Sequence, residues 1–307
     1  MKIYFFTTNF CPPTSKSPES YEFYNVLKDL SLLIDNYKNA DYIFYTMHTR
    51  NCLNLPYDNN YELNVEKIKE IFNSGKKEII IDYNDWTDTR NVPNNDVLQN
   101  IYKYFKRSIV KKENFWSSKL IEYPREIIPI SYGIRSDFIK YDKIFKFTNY
   151  NYDICCLFNK RDGGIRSIIP FIVDKYNVSK FVGRVDCPDR YSIVNIKYFE
   201  ILKTSKIIVT ANPPNWEGDF RLWEALLMGN LVLCDKMLVP SISPHPLINK
   251  RHLVYYNNMK ELEQLIEYYI NNNEERIKIG KEGREYGLKY HKFSDRVIEV
   301  INVLNNK

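Results

Sequence analysis

The sequence is poor in the residues that staple or metallate a fold. Its six cysteines, Cys11, Cys52, Cys155, Cys156, Cys187 and Cys234, are scattered and include no Cys-x-x-Cys pair. Buried reduced thiols are therefore expected, not a disulfide framework or a thiolate metal site. The four histidines, His48, His245, His252 and His291, do not fall at ligand spacing, which excludes a structural zinc site of the usual pattern. No run approaches the roughly 18 to 20 apolar residues that cross a bilayer. Low-complexity linkers and repeats of solenoid length are missing as well.

What is present is ordinary for a globular protein: 307 residues, 44% hydrophobic, enough for two domains. The first residues, MKIYFFTTNFCPP, hold an apolar run too brief for a signal-peptide core and no small-residue cleavage site. They read as a first buried strand, with a cytoplasmic location expected. The net charge of +6 is modest, and lysines interleave with acids along expected helices, as solvated faces do. The one basic cluster, at residues 102–115, reads as such a face and not as a nucleic-acid patch.

Short apolar runs alternate with helical patterns. In the first half, strands are expected at 2–6, 41–45, 78–81 and 126–130, with helices at 19–34, 65–72 and 97–105. Periodicity fades between 131 and 152, which reads as an interdomain connection. In the second half, strands are expected at 153–158, 179–183, 206–210, 231–234 and 252–256. Helices are expected at 164–175, 197–203, 219–228, 259–271, 273–286 and 293–304. Such succession predicts two α/β domains with mainly parallel sheets.

The densest information lies at residues 205–235, SKIIVTANPPNWEGDFRLWEALLMGNLVLCD. It reads as strand, polar loop, short helix, glycine stop and buried strand. Backbone N–H groups at Gly218, Asp219 and Phe220 sit at the helix start, where the helix dipole favours a diphosphate. Arg221 in the first turn can add a bidentate phosphate contact. Glu224, one turn on, is placed for a carboxylate to accept from the two ribose hydroxyls. Trp216 can stack on a base or sugar, and packing is the competing role.

This block resembles the donor-binding segment of GT-B glycosyltransferases. FRLWEALLMGNLVLCDK is similar to the Arg-x-x-Glu-Ala-x-x-x-Gly pattern of CgeB-like and group-1 enzymes, and more distantly to exostosin-type transferases. The likeness extends over 153–304, including a His-(x)n-Arg ending at His291 and Arg296. The resemblance implies two Rossmann-like domains facing across a cleft, the last helix crossing back. It divides the chain into an acceptor domain at 1–140, a donor domain at 141–290 and a returning helix at 291–307. One departure concerns Glu217: retaining enzymes often have two glutamates separated by seven residues, whereas Glu217 and Glu224 are separated by six.

Two further loops follow strands of the second half. LFNKRDGGIR offers a Gly163-Gly164 turn with Lys160, Arg161 and Arg166 where a diphosphate would lie; FVGRVD offers Arg184. Each competes with a plain turn or a surface arginine. In the first half, His48, Asp82 and Asp85 follow expected strands and are candidates for a catalytic base, although acids in turns commonly serve as caps. The whole implies a glycosyltransferase moving a sugar from a nucleotide-diphosphate sugar to an unidentified acceptor. No cofactor beyond that donor is expected, and neither a membrane span nor a nucleic-acid partner. Basic groups can stabilise the leaving diphosphate, and no Asp-x-Asp pair occurs, so metal-independent transfer is expected. The alternatives are a non-enzymatic nucleic-acid or ligand-binding protein, or a GT-B-fold sugar-phosphate epimerase.

Overall fold

The computed structural model describes residues 1–6, 18–46, 70–71, 73–83, 101–107, 127–158, 163–185, 195–212, 220–237 and 243–305. The chain divides into two compact units, Met1–Ile130 with Val297–Lys307, and Ser131–Arg296. The second thus begins at the start of the tract read as a connection. Among the described residues no helix is long and apolar enough to cross a membrane.

The first unit is built on strands β1 (Ile3–Phe6), β2 (Tyr42–Thr46), β3 (Lys77–Asp82), β4 (Ile101–Lys106) and β5 (Ile127–Pro129). All pair in parallel, and their spatial order follows the chain. Ile43, Phe44, Ile79 and Ile81 are fully buried, as expected for strands covered on both faces.

Two expectations fail here. The helix expected at 97–105 is strand β4 over its described part: Ile101, Tyr104 and Phe105 are β-formers, and pairing with β3 and β5 decides the conformation. The helix expected at 19–34 ends early, as α1 (Pro18–Asp29). Ser31 adopts φ +56°, and Leu33 then bridges Ile3 beside β1. Backbone bonds Ile3 N–H to Leu32 O at 2.8 Å and Ile34 N–H to Ile3 O at 3.0 Å replace helical ones. The helix expected at 65–72 lies outside the described residues except for Glu70 and Ile71.

The basic cluster at 102–115 is corrected at two of its described positions, while Tyr102 is exposed, Lys103 is partly so and 108–115 lie outside the described residues. Lys106 and Arg107 are 0% and 1% exposed, not a solvated face. Lys106 Nζ pairs with Asp82 Oδ2 at 3.1 Å, and Arg107 Nε and Nη2 donate to Tyr83 O at 3.1 and 3.0 Å.

The second unit opens with helix α2 (Ser136–Ile144), inside the tract that showed no periodicity. Strands β6 (Tyr152–Cys156), β7 (Lys180–Val182), β8 (Ser205–Thr210), β9 (Leu231–Asp235) and β10 (Val254–Tyr256) form a parallel sheet in the order β10-β9-β8-β6-β7. A 3-10 turn (Gly164–Ser167) and α3 (Ile169–Asp174) join β6 to β7. Helices α4 (Ile196–Lys203), α5 (Phe220–Met228), α6 (Met259–Asn271) and α7 (Asn273–Tyr290) complete it, and α8 (Phe293–Asn305) starts in it and passes to the first unit at Val297. The last residues of α8 belong to the first unit, where Tyr42 Oη donates to Leu304 O at 3.4 Å. Cys155, Cys156 and Cys234 are buried and form no disulfide, and burial pushes Cys155 and Cys156 up to about 12.

The strand order of this sheet matters for function. β6 starts it, β7 lies on one side and β8 on the other, so the winding direction reverses between β6 and β8. In open parallel sheets, ligands bind outside the carboxyl ends of the strands at such a reversal.

Candidate functional site

The reversal is lined with cations. β6 leads to Phe158, which is fully buried. Arg166, from the turn after Gly163 and Gly164, lies over the Phe158 ring with Cζ 5.5 Å from its centroid, and Arg221 of α5 lies 5.8 Å from it. The two glycines supply positive φ, +74° and +55°, which lets the backbone turn sharply here. Arg166 is 7% exposed, and its Nε and Nη2 donate to Ala211 O at 2.7 and 2.5 Å. Next in the chain, Asn212 donates through its backbone N–H and Nδ2 to the Asp235 carboxylate at 2.8 and 2.9 Å. Burial pushes Asp235 up to about 6 against the pull of these bonds and of Arg166. Ala211 and Asn212, which follow β8, are thus held by the turn after β6 and by the end of β9.

Helix α5 follows. Leu222 through Met228 are all buried, including Glu224 at 6% exposure. A buried carboxylate needs partners to offset lost hydration. Tyr198 Oη, on α4, donates to Glu224 Oε2 at 2.8 Å. Arg135 Nη1 stands 3.8 Å from Oε1, while its Nε and Nη2 grip the Asp137 carboxylate. The Arg135 guanidinium lies 5.0 Å from the Phe138 ring and 5.5 Å from that of Phe220. Tyr132 stacks on Phe220 with centroids 3.8 Å apart.

The carboxyl end of α5 is fixed by cations and a glycine. Arg284 donates to Leu227 O, and Lys203 Nζ to Met228 O at 3.2 Å. Both cations also bind Asp142; although burial raises that carboxyl, these hydrogen bonds bring it below its ordinary value. Gly229, the expected stop, has φ +79°. Close packing by α7 depends on Gly280 and Gly283, where an added Cβ would come within 2.5 Å of Gly229 O and 2.1 Å of His252 O.

Beneath α5, Trp223 packs on His291 with centroids 4.9 Å apart, and the Arg296 guanidinium lies 5.4 Å from the Trp223 ring. Arg296 Nη2 bonds His291 Nδ1, and its Nε donates to Tyr132 O at 3.2 Å. The expected His-Arg ending is therefore a buried clasp on the segment that carries Tyr132 and Arg135.

Of the expected donor residues, Phe220, Arg221 and Glu224 come together at the amino end of α5. Arg184 follows β7 and is exposed. Lys160, Arg161, Trp216, Glu217, Gly218 and Asp219 lie outside the described residues, as do His48 and Asp85 of the other unit. Asp82 is enclosed with Lys106 and also accepts from Tyr104 Oη. Tyr198 and Arg135 were not singled out in the sequence: Tyr198 lies inside the stretch that shares the family resemblance but had no role assigned to it, Arg135 lies outside that stretch, and only the fold brings both to Glu224. Among the described residues no group of His, Cys, Asp or Glu is arranged to hold a metal ion.

Comparison with solved structures identifies the architecture. The chain is similar to an α-glucosyltransferase in complex with UDP-glucose and DNA containing an abasic site, with TM-score 0.59, 10% identity and 100% of each chain covered. It is also similar to Anabaena HepE in complex with UDP-glucose, with TM-score 0.51, 11% identity and 100% of each chain covered. Sucrose-phosphate synthase from Thermosynechococcus elongatus matches with TM-score 0.51 and 10% identity over 95% of this chain and 78% of that one. The protein has the GT-B fold. Residues 179–302, which include the Arg-x-x-Glu-Ala block, match the family model described as "Glycosyl transferase-like". No curated protein matches the chain by sequence.

Proposed function

We propose that the protein transfers a sugar from a UDP-sugar to an acceptor, with the second unit holding the donor. The observation that carries this reading is Glu224. It is a buried, hydrogen-bonded carboxylate one turn into the helix that follows β8, beside a sheet reversal furnished with Arg166 and Arg221. On this reading the ribose diol meets Glu224 and the diphosphate meets the amino end of α5 and Arg221. Uridine is supported by the solved structures of the same fold that hold UDP-glucose.

The chemistry assigned to the site is departure of UDP as the acceptor hydroxyl attacks the anomeric carbon. Arg221 and Arg184, with Lys160 and Arg161, offset the charge that develops on the diphosphate, so a divalent ion is not required. A base takes the hydroxyl proton. We assign Asp82 to the scaffold, because its carboxylate is buried against Lys106, which leaves His48 and Asp85 as base candidates.

The test is UDP release from UDP-sugars in the presence of EDTA, with and without candidate acceptors. Turnover that survives the chelator, and that Arg221→Ala largely removes, supports the reading. Turnover abolished by EDTA and restored by manganese contradicts the metal-independent mechanism. Epimerisation of the sugar without release of UDP, or salt-sensitive nucleic-acid binding with no response to nucleotides, would favour the alternatives.

A further inference from the structure

We propose that Tyr198 is a positioning residue that fixes the Glu224 carboxylate for a ribose diol, with Arg135 supplying its countercharge, and that the pair thereby sets preference for ribo- over deoxyribonucleotides. This rests on the UDP-sugar reading above and deepens it.

A glutamate side chain has three rotatable bonds, and ordering it costs conformational entropy. In this structure that cost is met before a ligand arrives. The Tyr198 hydroxyl donates to Oε2 at 2.8 Å. Tyr198 is itself held: its backbone N–H is capped by Asn195 Oδ1 at 3.0 Å at the start of α4, and its ring meets Phe138 edge-on at 6.4 Å. Arg135 approaches the other oxygen at 3.8 Å, ion-pair and not hydrogen-bond distance, because its Nε and Nη2 are engaged by Asp137. One carboxylate oxygen is therefore oriented by a hydrogen bond while the other faces a cation.

The consequence is chemical. An ionised carboxylate is acceptor-only, and a vicinal diol offers two O–H donors, so the pairing is complementary only while Glu224 stays charged and correctly turned. A 2′-deoxyribose offers this carboxylate one donor fewer than a ribose, and sites built to bond a hydroxyl reject analogues lacking it. Removing the Tyr198 hydroxyl removes the orientation and not the charge. It should erode discrimination at C2′ without unfolding the helix that carries it.

The experiment is titration of UDP and 2′-deoxyuridine 5′-diphosphate into wild type, Tyr198→Phe, Glu224→Gln and Arg135→Gln, with melting temperatures in parallel. Wild type is expected to prefer UDP by about tenfold or more, the size of a charge-assisted hydrogen bond. Tyr198→Phe should lower its melting temperature by no more than a few degrees and bring the preference to within about threefold, and Glu224→Gln should abolish it. Should Tyr198→Phe fail to fold, Arg135→Gln reads the same ratio: reduced under the proposal, unchanged against it. A collapse in Glu224→Gln with the wild-type ratio kept in Tyr198→Phe overturns the positioning role and leaves the nucleotide reading standing. Equal affinity of wild type for both nucleotides also overturns the proposal. Wild type that binds neither removes the underlying reading.

Discussion

Asp82 Oδ2 and Lys106 Nζ stand 3.1 Å apart at the carboxyl ends of β3 and β4, with side chains 1% and 0% exposed. Removing one member of such a pair strands a buried charge and costs about 3–5 kcal/mol, whereas replacing both by apolar groups is often close to neutral. Asp82→Ala and Lys106→Ala should each lower stability by about that amount in urea melts. Asp82→Leu with Lys106→Met should recover most of the loss, and UDP affinity should be unchanged. Additive losses in the double variant would refute the pairing as the source of the effect.

Glu78 gives the first unit a pH dependence of definite sign. It is 1% exposed, its Oε2 has no hydrogen-bond partner among the described residues, and burial raises its carboxyl to about 8. Because the folded value lies above the ordinary one, the stability it contributes is full below about pH 4.5 and is lost as pH rises through about 8. Glu78→Gln should melt higher than wild type at pH 9 and show a flatter profile from pH 6 to 9. The gain should be on the order of 1–3 kcal/mol. Parallel profiles for the two proteins would show that Glu78 is already solvated.

The second unit has the opposite sign. Burial lowers His252 to about 4, and burial with the Arg296 charge lowers His291 to about 2. Both rings are neutral in the fold: His252 Nδ1 accepts from Ile248 N–H at 3.1 Å, and His291 Nδ1 meets Arg296. Their contribution is present above about pH 6.5 and is lost as pH falls through the depressed values. Melting temperature should fall steadily from pH 6.5 to 4. His291→Asn, which keeps an acceptor for Arg296, should lower it at pH 7.5 and make that slope shallower. An unchanged slope would contradict the assignment.

Arg166 and Arg221 share the Phe158 ring but should fail differently. Arg166 holds Ala211 O with two nitrogens, so Arg166→Ala should cost about 1–3 kcal/mol of stability. Arg221→Ala should leave the melting temperature near wild type and weaken UDP binding by about 1.5–3 kcal/mol. Denaturant melts and calorimetry on both variants separate the roles, and the reverse pattern would exchange them.

The block around Glu224 was legible because its signals are local: an apolar strand, a helix with Arg and Glu in register, and Gly229 at the stop. The parallel sheets were legible for the same reason, in alternating apolar runs. What escaped depends on partners distant in sequence. Residues 101–106 fit a helical pattern as well as a strand, and only pairing with β3 and β5 settles them. Leu33 fits the period of α1 but serves a bridge to Ile3. Lys106 and Arg107 look like surface charge until Asp82 and Tyr83 are placed beside them. Tyr198 and Arg135 reach Glu224 from elements far from it in sequence, and nothing in their own neighbourhoods marks them.

The account rests on Glu224 as the ribose contact, and calorimetric titration of UDP into wild type and Glu224→Ala tests it most directly. The account predicts an affinity about ten- to a hundredfold weaker in the variant, equivalent to about 1.5–3 kcal/mol, with the melting temperature within a few degrees of wild type. Equal UDP affinity in the two proteins, or no binding to wild type, would contradict it.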